Sequence, residues 1–204
     1  MKTFSVWPAL LYIIAGCYDN YRDVKGQSRF IKPFLMPMLA IWYLLTADPV
    51  QVPVLSGIFF GWLGDIFLMT KNHVMQKLGI LSFLLGHLAY LYAFIHGGIA
   101  FHPAAVLVLA GYVLWMVQLF RKLKPASRAD LVVPGFIYGC VILCMSFAAF
   151  LNAVKTGSYT GWIGSLLFCI SDSNLALRGC KLTKVNLVMS TYILAQLFIV
   201  LSFA

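Results

Sequence analysis

Two aspartates, Asp65 and Asp172, stand inside otherwise apolar stretches, and each comes six residues before a basic residue, Lys71 and Arg178. The first lies in Gly61-Trp-Leu-Gly-Asp-Ile-Phe-Leu-Met69, and nothing else from Val52 to Thr70 is charged. The second lies in Phe168-Cys-Ile-Ser-Asp-Ser-Asn-Leu-Ala-Leu177. On helices rising 1.5 Å per residue, both carboxyls sit about 9 Å from the same boundary. An aspartate at mid-membrane costs about 2.5–3.5 kcal/mol on insertion scales, whereas an interhelical hydrogen bond returns about 1 kcal/mol. Two such groups at one depth therefore point to function rather than to cohesion of a bundle. Desolvation or a second carboxylate nearby lets one member of such a pair keep its proton while the other stays anionic. That division suits general acid–base catalysis. The same pair also suits a proton relay in a carrier, which is the alternative class.

Elements able to hold the two groups at one depth must be membrane helices. Hydrophobic residues make up 62% of the chain and charged residues 10%, against about 45–50% and 25% in soluble domains. The apolar stretches are long enough to cross about 30 Å of hydrocarbon as helices. Eight are expected, at 4–19, 31–46, 52–70, 76–96, 103–120, 130–151, 159–177 and 185–204, forming one all-α, polytopic domain over 1–204. The first two are short, and Pro33 and Pro37 interrupt the second.

The net charge of +9 records orientation, not nucleic-acid binding. Thirteen of the fifteen Lys and Arg residues lie in or beside the first, third, fifth and seventh connections; Lys2 and Lys155 are the others. By the positive-inside rule the odd connections are cytoplasmic and both termini non-cytoplasmic. The basic edge faces anionic headgroups. A bacterial protein of this kind sits in the inner membrane. Lys2, an apolar run and Ile14-Ala-Gly-Cys17 also resemble a lipoprotein cleavage box, but cleavage there puts Arg22–Lys32 outside, against the charge bias. The stretch is therefore read as the first span.

Further polar groups share helix faces with the aspartates. Gly57, Gly61 and Asp65 are spaced by four, a strip free of side chains that either leads to the carboxyl or packs another helix closely. Gly79, Phe83, His87 and Tyr90 share one face, as do Gly161, Ser165, Phe168 and Asp172; Tyr192 and Gln196 are one turn apart. The chain has no glutamate, and Asp19, Asp23, Asp48 and Asp130 are expected at helix ends or in loops. His73, His87, His96 and His102 fall at different depths, so no metal site is expected. The five cysteines have no metal or disulfide spacing and read as packing residues. Gly64-Asp65 and Ser171-Asp172, each followed three residues on by Leu, hint at a duplicated four-helix unit.

These motifs together resemble the YhhN-like membrane family, whose animal members are lysoplasmalogenases. The matching elements are Lys32-Pro33 with Met36, Gly64-Asp65, and Gly79, Phe83, Gly86-His87 and Tyr90. Phe168, Ser171-Asp172, Tyr192 and Ala195-Gln196 complete the set. Asn174 departs from the pattern, where an apolar residue is expected, and bears on pocket polarity. The resemblance implies hydrolysis of the vinyl-ether bond of a lysoplasmalogen, giving a fatty aldehyde and glycerophosphoethanolamine or glycerophosphocholine. The implied partners are the single-chain lipid, water and the bilayer, with no cofactor.

Vinyl ethers are cleaved by protonation of the outer alkene carbon, which creates an oxocarbenium-like cation that water traps. Glycosidases divide labour between two carboxyls around a similar cation. Sequence does not decide which aspartate is the acid; the assignment adopted is Asp172 as acid and Asp65 as base. His87, Tyr90, Tyr138 and Gln196 are expected to position them, with Ser171, Asn174 and Tyr192 beside them. Lys32 reads as a snorkelling anchor or as a contact to the lipid phosphate, with Arg178 as helper.

Overall fold

The computed structural model describes residues 6–24, 31–70, 72–127 and 129–204. Lys2, Lys25, Arg29, Lys71 and Arg128, which enter the charge pattern, lie outside these residues, as do the side chains of Asp23 and Asp130. The described chain is helical, with no strand. The helices are α1 (Val6–Val24), α2 (Lys32–Thr46), α3 (Val52–Leu68), α4 (His73–His96), α5 (Ala104–Leu123), α6 (Ala129–Thr156), α7 (Thr160–Gly179) and α8 (Val188–Leu201).

Local chemistry explains most of the ends. Prolines in the first turns of α2 and α3 occupy positions whose N–H has no intrahelical acceptor. The Asn72 side chain caps α4 by accepting from Val74 N at 2.8 Å. Gly98 and Gly157 follow α4 and α6 with φ of 88° and 76°, a left-handed conformation that only glycine adopts freely. The α4, α5 and 131–156 segments are long and apolar enough to cross a membrane, and α2, α3 and α8 are shorter apolar helices. Leucine, valine and phenylalanine side chains remain widely exposed along these helices. Such surfaces suit lipid and not water. This is a membrane protein.

The most extensive packing joins α3 to α4 and α7 to α8, with α6 against α4 and α7, and α1 against α2 and α8. Glycines make these approaches possible. A Cβ on Gly64 would lie 2.6 Å from the Phe83 ring, and one on Gly164 would lie 2.8 Å from Ile199 N. The glycine strip of α3 is a packing surface, not a channel: Gly57 receives the Tyr90 ring and Gly61 the Gln196 side chain.

Two expectations need correction. Helix α1 runs on to Val24, so Asp19 is a helical, fully buried residue instead of a helix-end or loop one. Among the cysteines only Cys169 belongs to the core; Cys17 and Cys144 are exposed.

Candidate active site

Asp65 is 1% exposed and lies one turn from the end of α3. Its Oδ1 is 3.0 Å from Lys32 Nζ, and its Oδ2 accepts from the Tyr192 hydroxyl at 2.8 Å. Lys32 is the first residue of α2. A cation there opposes the helix dipole, and the Asp65 carboxylate offsets that penalty. Trp62, on the same helix as Asp65, fixes the start of α2 by donating Nε1–H to Pro33 O at 2.8 Å. The Lys32 side chain is 7% exposed and turned inward. It is therefore an internal counter-ion, not a snorkelling anchor.

Asp172 stands in a second hydrogen-bonded group. Its Oδ2 accepts from the Tyr138 hydroxyl, and His87 Nε2 lies 3.3 Å from the same oxygen and 2.9 Å from the Tyr138 oxygen. Tyr138 has one hydrogen, which Asp172 takes, so Nε2–H of His87 must be the donor to the phenolic oxygen. The imidazole Nδ1 is buried with no hydrogen-bond partner among the described residues. The Asp172 side chain is 15% exposed, and no hydrogen bond to its Oδ1 occurs among the described residues. The two carboxyls thus differ. Asp65 has both oxygens occupied, whereas Asp172 keeps one oxygen open.

Phe168 stands between the groups. Its ring centroid is 4.6 Å from the His87 ring and 5.4 Å from the Tyr192 ring, edge-on to both. Phe83 packs against Tyr192 from the other side at 6.0 Å. The Phe168 ring thus forms a partition between the Asp65 group and the Asp172 group.

The other expected residues divide between the site and its supports. Tyr90 donates to Gln196 Oε1 at 2.6 Å, so these two bind each other. Through Gly61 the Gln196 amide packs beside Tyr192 and so buttresses the Asp65 group. Ser171 donates to Val188 O at 3.0 Å, and Asn174 Oδ1 accepts from Leu187 N at 3.2 Å. Both hold the start of α8, which places Tyr192. Arg178 donates to Asn186 in the α7–α8 connection. Asn174 and Arg178 are thus loop-fixing residues here. Sequence reading missed Trp115, whose Nε1–H donates to Ser173 Oγ at 3.1 Å beside Asp172. It also missed Trp62; indole donors at membrane depth were the available signal. No group of three or more His, Cys, Asp or Glu able to hold a metal occurs among the described residues.

The model of the YhhN family matches residues 27–203. The chain belongs to that family. Its matched region begins after α1 and includes every residue of the two carboxyl groups described above. Among curated relatives, "Lysoplasmalogenase TMEM86A" of Bos taurus is 27% identical over 184 residues, covering 82% of this chain and 75% of the relative. The Homo sapiens protein of the same name is 26% identical over 185 residues, with the same coverage. A "Lysoplasmalogenase homolog" of Dictyostelium discoideum is 27% identical over 149 residues, 60% of this chain and 48% of the relative. No solved structure matches this YhhN chain. The names of these relatives are those of enzymes and lend no support to the carrier alternative.

Proposed function

We propose that this YhhN protein is an intramembrane hydrolase that cleaves the vinyl-ether bond of a lysoplasmalogen, with Asp172 as the proton donor and Asp65 as a fixed anion. The names of the relatives supply the substrate class. The observation that carries the division of roles is the asymmetry of the carboxyls. Both Asp65 oxygens are engaged by Lys32 and Tyr192, while Asp172 Oδ1 is open at a partly exposed group.

In this reading Asp172 Oδ1–H protonates the outer alkene carbon of the bound lipid. The alkene electrons form the new C–H bond, and the ether oxygen stabilises the cation left on the adjacent carbon. Phe168, Tyr192 and the Asp65 carboxylate lie beside that cation, which is electrostatic stabilisation by groups already in place. Water adds to the cationic carbon and gives its proton to the Asp172 carboxylate, restoring the acid. The hemiacetal then loses its glycerol oxygen as an alcohol, leaving the aldehyde. Atoms balance as vinyl ether plus water to aldehyde plus alcohol. Asp65, enclosed by its partners, is better suited to hold charge than to take the proton of water, so the base role passes to Asp172 itself.

The charge pattern supports eight spans, cytoplasmic odd connections and non-cytoplasmic termini, with the site just beneath the cytoplasmic surface. There the glycerol end of a single-chain lipid meets the two carboxyls. The deciding assay incubates purified protein with lysoplasmenyl-ethanolamine and with its acyl-ester counterpart. Aldehyde from the first and no fatty acid from the second is expected. Asp65→Asn and Asp172→Asn should each lower the rate at least about 10²-fold, the low end for acid–base groups. Full turnover by Asp172→Asn removes the proposed acid.

A further inference from the structure

Helix α5 is fastened to the bundle mainly up to Trp115, with the Phe120 ring set against Phe136 beyond it. Its buried residues are Ala105 and Tyr112, and the Tyr112 hydroxyl is 2.6 Å from Ser146 Oγ of α6. From Met116 to Leu123 no α5 side chain is buried. Along that half an open groove runs between α5 and α6. Met116, Leu119 and Phe120 form one wall and Leu131, Gly135 and Gly139 the other, with Lys124 and Ser127 at its mouth.

The two ends of the groove differ chemically. At the inner end Met116 follows Trp115, the partner of Ser173, and Gly139 follows Tyr138, the partner of Asp172. The groove therefore ends where the Met116 side chain packs on Gly139, one residue in sequence from the groups that surround the proposed acid. Lys124 at the mouth stands beside the exposed Arg121 and Lys122. A neighbouring hollow is lined by Lys122, Leu177, Leu182 and Thr183, with the exposed Lys181 next to Leu182. From Leu123 to Met116 is about 10 Å along the helix axis. An anion held at Lys124 can thus place a bond a few atoms away level with Asp172.

An apolar trough with a cation at one end complements an anionic head on a hydrocarbon chain, as in a phosphate ester carrying a single chain. We propose that the α5–α6 groove seats the lipid: its phosphate lies at Lys124, its glycerol and first chain carbons run along Phe120 and Gly135, and its vinyl ether reaches Asp172 when the flexible Met116 side chain turns away from Gly139. The identity of the bond delivered rests on the hydrolase reading; the groove and its occupant's shape do not. Gly135 keeps the trough open, since a Cβ there meets nothing within 4 Å. A larger side chain fits the fold and occupies the path instead.

The test compares Gly135→Leu with Gly111→Leu, which adds the same bulk to α5 at another open position outside the groove. In kinetic assays with lysoplasmenyl-ethanolamine, Gly135→Leu and Lys124→Glu should raise KM at least about tenfold, the scale on which filling an apolar pocket discriminates. Gly111→Leu should leave KM unchanged. A second arm measures binding of a saturated single-chain alkyl-ether phospholipid to Asp172→Asn protein, which needs no turnover. Adding Gly135→Leu to that protein should abolish binding, and glycerophosphoethanolamine without a chain should bind at least about tenfold more weakly. Unchanged KM and unchanged lipid binding in Gly135→Leu overturn the groove while leaving the hydrolase reading intact. Lipid binding lost in Gly135→Leu, with no aldehyde from native protein, overturns the hydrolase reading and keeps the groove.

Discussion

Breaking the Lys32–Asp65 pair should separate its structural role from its chemical one. The charges are 3.0 Å apart on side chains 7% and 2% exposed. At an effective dielectric of 20, two unit charges at that distance attract by about 5–6 kcal/mol. Removing one partner of a buried pair leaves the other charge uncompensated and costs about 3–5 kcal/mol, whereas neutralising both is often close to neutral. Lys32→Met and Asp65→Asn should therefore each destabilise by about 3–5 kcal/mol. The double variant should lose far less than the sum of about 6–10 kcal/mol. Reversible unfolding of the purified protein in mixed micelles measures all four corners of the cycle. A double-variant loss equal to the sum of the singles, within about 0.5 kcal/mol, refutes the pairing. Activity on the same proteins completes the test. The double variant should regain stability but not turnover, because Asp65 is no longer an anion beside the cation. Native rates in the double variant would show that Asp65 serves cohesion alone.

Tyr138→Phe removes the hydrogen-bond donor to Asp172; since such bonds to charged groups are worth about 1.5–3 kcal/mol, kcat should fall about 10- to 100-fold with little change in KM. Gly57→Ala places a Cβ 2.4 Å from the Tyr90 ring, and overpacking of that kind should cost about 1–3 kcal/mol in the same unfolding assay. Phe168→Leu keeps the volume of the partition roughly but removes its π-face, so kcat should fall about 3- to 30-fold on the scale of one cation–π contact. Incubation with a strong chelator followed by the aldehyde assay should leave the rate unchanged, because no group of three or more His, Cys, Asp or Glu able to hold a metal occurs among the described residues.

The sequence by itself determined the apolar helices and that Asp65 and Asp172 stand inside them. Hydropathy is a sum over neighbours in the chain, and a charge inside such a run is visible without knowing what it faces. Proline at the start of α2 and glycine after α4 and α6 obey local rules of the same kind. The tertiary structure decided the partners. Lys32 looks like a boundary lysine until α2 is seen to start beside the end of α3. Tyr90 and His87 share a helix face in sequence, yet Tyr90 pairs with Gln196 while His87 joins Tyr138 and Asp172. Asp19 reads as a helix end until α1 is seen to continue to Val24 and bury it against its neighbours. Which side chains meet depends on the rotation and crossing of helices joined by other parts of the chain, and hydropathy does not carry those two variables. The asymmetry between Asp65, closed in by its counter-ion, and Asp172, with one oxygen open, belongs to that second class.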